Sequence, residues 1–222
     1  MRVPGGAGRR DCLIVPDATC SANDSAREPR YRLPMTRPLR IEGYAIVSAD
    51  GMIADRHGTM PDTIRNDADQ RYLQAEMDRA AVVVHGRHSD EGGPRAADRK
   101  RVVLTRHVTS IAPDPLHPHA LLWNPAGATF EEAIAALGAA NGTIAIIGGT
   151  DVFGLFLPLY GAFHLTHAAH ANIPGGRPVF PEVGPRMTPQ DVLARYGLRP
   201  GLQREIDAAA GVTLTTWERS SG

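Results

Sequence analysis

Lysine is almost absent from this chain: of 24 basic residues only Lys100 is not an arginine. Acidic residues also number 24, so the formal net charge is zero. No stripe of one charge sign marks a nucleic-acid-binding face. Cysteine is nearly missing as well. Cys12 and Cys20 both fall in a Gly-, Pro- and Arg-rich N-terminal stretch, which argues against a disulfide framework or a zinc site. No apolar run is long enough to cross a membrane, and no signal-peptide core is present. These absences point to a cytoplasmic protein that uses neither nucleic acid nor a membrane as partner. Arg, Ala and Gly abundance reads as the coding bias of a GC-rich genome, so arginine number alone carries no functional weight.

What remains is globular: 222 residues, 42% hydrophobic and 22% charged, enough for one domain plus a tail. Residues 1–38 lack periodicity and read as a disordered tail, with Met35 as an alternative start. The domain spans residues 39–222. Arg40 to Ser48, Ala80 to His85, Arg101 to Thr105, Thr143 to Ile147 and Ala162 to Ala168 read as strands, with a weaker one opening at Leu121 and Leu122. Val212 to Trp217 reads as an edge or terminal strand. Asp67 to Asp78 suits a helix, and Thr129 with Glu131 and Glu132 opens another running to Leu137. Short, continuously apolar strands separated by helices predict an α/β fold with a mostly parallel sheet covered on both faces. Residues 187–211 have no assignment.

In such sheets ligands sit beyond the carboxyl ends of the strands, and three strand ends carry unusual residues. The stretch AIIGGTDVFGLFLP places Gly148 and Gly149 between a strand and a helix, where backbone can approach a phosphate. The strand AAVVVH runs into Gly86, Arg87, His88 and Ser89, and RVVLT runs into Arg106 and His107. Arg87 and Arg106 are candidates for phosphate contacts, since a guanidinium binds phosphate in a bidentate way. The three ends together suit one long polyanion, such as a dinucleotide with an added 2′-phosphate.

In order, AIVSADGMIA, DADQRYLQ, VVVHGRHS, RKRVVLT, AIIGGTDVFGLFLP and FHLTHAAHANIPGGRPVFP resemble the dihydrofolate reductase-like superfamily, including the reductase domain of riboflavin biosynthesis. The resemblance runs from about Ile41 to Pro181. It implies a three-layer α/β fold and NADPH as cofactor. On that resemblance, Gly86, Arg87, His88 and Ser89 hold the pyrophosphate and adenosine side, and Thr105 and Arg106 the 2′-phosphate and adenine. Gly148, Gly149, Thr150, Asp151 and Val152 wrap the pyrophosphate and nicotinamide end, and Ala45 and Ile53 border the nicotinamide.

The resemblance also implies an acid at the start of the first helix, either Asp67 or Asp69, with Thr166 facing the same pocket. A carboxyl in an apolar pocket can hold a protonated heterocycle or assist one proton transfer. Arg99 matches the position that binds the glutamate carboxylate of folate. The motif SADGMIA resembles the riboflavin-type signature, in which Ser48 and Asp50 position a ribityl or ribose-phosphate group. Met60-Pro61 is followed by Asp62 rather than the folate-type tryptophan, while SDEGGP replaces the riboflavin-type Asp-Pro element. His164, His167 and His170 do not suggest a metal site, because residues three apart on a strand face opposite ways. Residues 49–65 are expected to move over the cofactor as a lid.

The expected activity is that of an NADPH-dependent oxidoreductase transferring hydride to a pterin- or pyrimidine-type small molecule, like a 5-amino-6-(5-phosphoribosylamino)uracil reductase. Dihydrofolate reductase is the alternative, and a non-catalytic NADPH-binding protein the alternative of another class. Riboflavin-type members commonly pair, which implies a homodimer.

Overall fold

A computed structural model of the chain describes residues 38–89 and 92–220. Residues 1–37 of the expected tail, including Met35, Cys12 and Cys20, lie outside the described residues, as do Asp90 and Glu91. From Arg40 onward, β1 (Arg40–Ser48), β2 (Met52–Ala54), α1 (Asp67–Arg79), β3 (Val82–Gly86), β4 (Arg101–Leu104), β5 (Ile111–Pro113) and β6 (Ala120–Trp123) are followed by α2 (Phe130–Ala136), β7 (Thr143–Ile146) and α3 (Thr150–Phe156). The chain continues with β8 (Ala162–Ala168), β9 (Arg177–Pro178), α4 (Pro189–Arg195), β10 (Leu198–Asp207) and β11 (Val212–Arg219).

Nine strands form one sheet in the order β10-β11-β8-β1-β7-β3-β4-β6-β5. Every pairing from β8 across to β6 is parallel, and β11, β10 and β5 add antiparallel margins. The inner strands β3 and β7 carry continuous apolar runs because both faces are covered: Val82 to Val84 and Ile144 to Ile146 are all buried. Alternation along β8 shows which layer lies where. Phe163 packs against Phe153 of α3 and against Phe180 in the principal core, while His164 and Thr166 face α1.

Helix starts follow the side chains the sequence offers. Asn66 precedes α1 and accepts from the amides of Ala68 and Asp69, and Thr129 forms a reciprocal capping box with Glu132 at α2. A cap of this kind contributes about 1 kcal/mol.

Three expectations change. First, of the two alternatives for Val212 to Trp217 the terminal one holds and the edge one does not: β11 is the last strand of the chain, and it lies between β8 and β10. Second, residues 187–211 hold α4, capped by Thr188 and Asp191, and the edge strand β10. That strand carries seven consecutive exposed residues, with Pro200 and Gly201 inside it, so no period-2 pattern betrays it. Third, the segment 49–65 is not wholly a free loop, because β2 pairs with β9.

Candidate active site

A cleft of about 1220 Å³ opens at the carboxyl ends of β3, β4, β6 and β7 and runs on between α1 and the strands β1 and β8. That exceeds the roughly 300–1,000 Å³ usual for one drug-sized ligand and suits two ligands side by side.

At one end backbone dominates. The amide of Gly86 donates to the carbonyl of Gly148 at 2.8 Å, tying the β3 end to the β7 end. Gly148 has φ +132°, a conformation L side chains rarely adopt, and its peptide to Gly149 is cis. Gly149 caps α3 without any side-chain bond, leaving first-turn amides without intrahelical partners. A Cβ added at Gly149 would meet nothing within 4 Å, so it would project into the cleft. The Thr150 hydroxyl donates to the Pro178 carbonyl at 2.5 Å; Asp151 is exposed and Val152 buried. Arg87 contacts the His107 ring and lies 3.2 Å from Nε2 of His88, both from exposed positions. Thr105, whose hydroxyl accepts from the His107 amide, and exposed Arg106 line the same wall as Ser89. Ala45 and Ile53 border the middle of the cleft.

At the other end buried and half-buried side chains dominate, arranged as two rungs between α1 and β8. In the first, Asp69 is only 9% exposed and Thr166 1% exposed. Burial pushes the Asp69 carboxyl above the usual carboxylate range, and the neighbouring Thr166 hydroxyl partly offsets this. Asp67 is exposed on the outer side of α1, so Asp69 is the acid that the fold turns into the cleft.

The second rung lies one helical turn further along. The Tyr72 hydroxyl is 2.9 Å from Nδ1 of His164, and Nε2 of His164 is 3.2 Å from Oε2 of Glu42. The Tyr44 ring stacks on His164 with centroids 4.5 Å apart, and its hydroxyl donates to Oε2 of Glu42 at 2.7 Å. Burial would raise the Glu42 carboxyl, but hydrogen bonds from His164 and Tyr44 and the charges of His164 and Arg40 hold it below its ordinary value. Burial pushes Tyr72 up to about 12.

The expected substrate contacts of Arg99, Ser48 and Asp50 are not where the cleft is. Arg99 is 7% exposed, and its guanidinium donates to Oδ1 of Asp78 at 2.6 and 3.0 Å and to Oε1 of Gln74 at 2.7 Å. It joins α1 to the segment before β4 and does not line the cleft. Ser48 is fully buried, donating to Asp50 at 2.6 Å and accepting from the Met52 amide at 2.9 Å. Asp50 in turn accepts from the Ile173 amide at 3.0 Å. The SADGMIA motif therefore builds a turn; with His167, Ser48 and Asp50 border a separate cavity of about 670 Å³.

Sequence reasoning missed Tyr72, Tyr44, Glu42 and the cleft role of His164. The signal was there in part: Tyr72 follows Asp69 by three on one helix face, and His164 precedes Thr166 by two on one strand face. Asn124, Pro125 and Ala126, beyond β6, also line the cleft and carried no sequence signal. Among the described residues no group of three or more His, Cys, Asp and Glu is placed to hold a metal ion, and no helix is long and apolar enough to cross a membrane.

No family model matches the sequence, and no curated protein does. Solved structures do match. A protein named for riboflavin biosynthesis from Shewanella sp. PV-4 is 21% identical with a TM-score of 0.58, over 82% of this chain and 99% of that one. Dihydrofolate reductase from Enterococcus faecalis, complexed with NADP(H) and a further ligand, is 18% identical with a TM-score of 0.57, over 82% and 97%. A diaminohydroxyphosphoribosylaminopyrimidine deaminase/5-amino-6-(5-phosphoribosylamino)uracil reductase from Thermotoga maritima is 16% identical with a TM-score of 0.57, over 83% of this chain and 57% of that one. Their agreement, together with the mostly parallel sheet and its covering helices, shows that this chain has the dihydrofolate reductase-like fold.

Proposed function

We propose that the chain is an NADPH-dependent reductase acting on a pyrimidine- or pterin-type small molecule. The observation that carries this reading is the buried Asp69–Thr166 pair facing the same cleft as the Gly148–Gly149 turn. The residues present suit a phosphorylated dinucleotide: Gly149 leaves open the space a side chain would fill, and Arg87 and Arg106 stand exposed on the cleft wall. When bound, the reduced nicotinamide supplies a hydride. Gly86 to Ser89, Thr105, Arg106 and Gly148 to Val152 orient the dinucleotide, with Ala45 and Ile53 against its reactive ring. Reduction of a C=N bond needs one hydride on carbon and one proton on nitrogen. Asp69, whose raised pKa lets it keep a proton further toward neutrality, holds the ring nitrogen or provides that proton.

The folate-type reading loses the residue that favoured it, since Arg99 is tied to Asp78. A pyrimidine substrate, which has no glutamate tail to anchor, therefore leads. The test is NADPH consumption with dihydrofolate and the ribosylamino-pyrimidinone offered in parallel. Turnover of the pyrimidine alone is expected; turnover of dihydrofolate alone would reverse the ranking. NADPH binding with no turnover of either would favour a non-catalytic binding protein.

A further inference from the structure

A histidine ends the apolar run of β3. His85 follows Val82 to Val84 and is buried as they are, at 5% exposed, yet it does not line the cleft. Its Nδ1 lies 3.0 Å from the carbonyl oxygen of Gly86, the next residue in the chain. A carbonyl only accepts, so the proton of that bond is on Nδ1. Burial, reinforced by the charge of Arg101, holds the imidazole below its ordinary pKa even against the bond to Gly86, so the ring is neutral at neutral pH. Nε2 is then a bare lone pair, buried and without a hydrogen-bond partner among the described residues. An unpaired buried polar atom costs about 1–3 kcal/mol, so an apolar side chain would serve the core better. What the histidine adds is the bond it makes.

That bond acts on a peptide with little stiffness of its own, since glycine has the freest backbone. The Gly86 carbonyl also accepts from the Ser89 amide at 3.0 Å, closing a turn, and the Gly86 amide donates to the Gly148 carbonyl at 2.8 Å. His85 supplies the side chain in this set of ties. In a trans peptide the carbonyl and the following N–H point opposite ways, so a Gly86 oxygen held toward the His85 ring sends the Arg87 amide away from it. We infer that His85 is a positioning residue for the dinucleotide: its Nδ1–H fixes the Gly86 carbonyl and, through it, the turn that carries Arg87, His88 and Ser89 on the cleft wall. This rests on the reductase reading above and deepens it, by naming a buried residue that acts through the turn and meets no ligand.

Two substitutions in the full chain set the donor against the packing. His85→Met keeps a side chain of similar size and removes both the donor and the unpaired nitrogen. It should melt at or above the wild-type temperature and yet bind NADPH roughly 3- to 10-fold more weakly in fluorescence titration. His85→Asn puts an amide N–H where Nδ1–H stood but leaves the core underfilled. It should melt below wild type and bind NADPH within about twofold of it. Affinity would then follow the donor and stability the packing, a split that a merely structural histidine does not produce. Hydrogen exchange of the Ser89 amide, followed without dinucleotide, should quicken in His85→Met and stay near wild type in His85→Asn. Nitrogen-15 shifts of the wild-type ring should show the proton on Nδ1. A proton on Nε2 overturns the inference, as does a His85→Met protein with wild-type affinity and Ser89 protection, or a His85→Asn protein that loses both in step with it. Failure of the wild type to bind NADPH overturns the reductase reading instead, and Ser89 exchange with the ring shifts still decides whether His85 holds the turn.

Discussion

The Gly148–Gly149 end of the cleft presents backbone amides and exposed arginines. The Asp69 end presents buried and half-buried side chains, several already bonded to one another. The first arrangement spreads recognition over many weak, solvated contacts, so no single side chain there should matter much. The second concentrates it, because an unpaired polar group in a buried site costs about 1–3 kcal/mol and more if charged. The contrast predicts a steep gradient of mutational effect along one cleft.

The largest effect is expected at the buried end. Asp69→Asn should lower turnover by about 100- to 1,000-fold while leaving NADPH affinity within about twofold, as measured by single-turnover kinetics and fluorescence titration. Equal loss in both would erase the distinction between the ends. The same residue has a pH signature. Its folded pKa is raised, so the folded state holds a proton that the unfolded chain has released. Asp69 therefore lowers stability as pH climbs from the ordinary carboxylate range through its raised value, and the penalty is complete above it. Asp69→Asn should flatten that part of the wild-type profile in denaturant unfolding followed across pH.

Next in size is a substitution outside the cleft. Asp78→Ala removes the carboxylate facing the buried guanidinium of Arg99 and should cost about 3 kcal/mol of stability. Substrate KM should stay unchanged, which separates a structural arginine from a substrate contact. A rise in KM without loss of stability would restore Arg99 to the site.

Gly149→Val comes third. With φ at −83° and open space at its Cβ, the position accepts a side chain without folding strain. The protein should melt within a few degrees of wild type and yet bind NADPH about 10-fold more weakly, because the side chain enters the space the dinucleotide would use. Tight NADPH binding by this variant would break the assignment of that end.

The comparison also explains what could be read from the sequence. The parallel strands were legible because burial on both faces leaves a continuous apolar run, as in Val82 to Val84. The Gly148–Gly149 turn was legible because glycine there answers a local backbone demand. Local signals reached Asp67 and Asp69 but could not choose between them, since the choice depends on which side of α1 meets β8. Arg99 and Ser48 turn away from the cleft for the same reason: motif position fixes a residue in the chain, whereas its partners, Asp78 and Met52, fix where its side chain goes. Tyr72, His164 and Glu42 come from three elements, and no local pattern brings them together.

The smallest effect belongs to the exposed end. Arg106 is a solvated guanidinium, and single exposed ion contacts contribute about 0.2–1 kcal/mol. Arg106→Ala should weaken NADPH binding only about two- to fivefold at low salt. The loss should shrink as salt rises, because exposed charges are screened over roughly 8 Å at physiological ionic strength. NADH, which lacks the 2′-phosphate, should be insensitive to the substitution at any salt, so the ratio of the two affinities isolates the contact. Paired titrations of NADPH and NADH at low and high salt would check this. A loss shared equally by both dinucleotides would mean that Arg106 shapes the β4 end rather than meeting the phosphate.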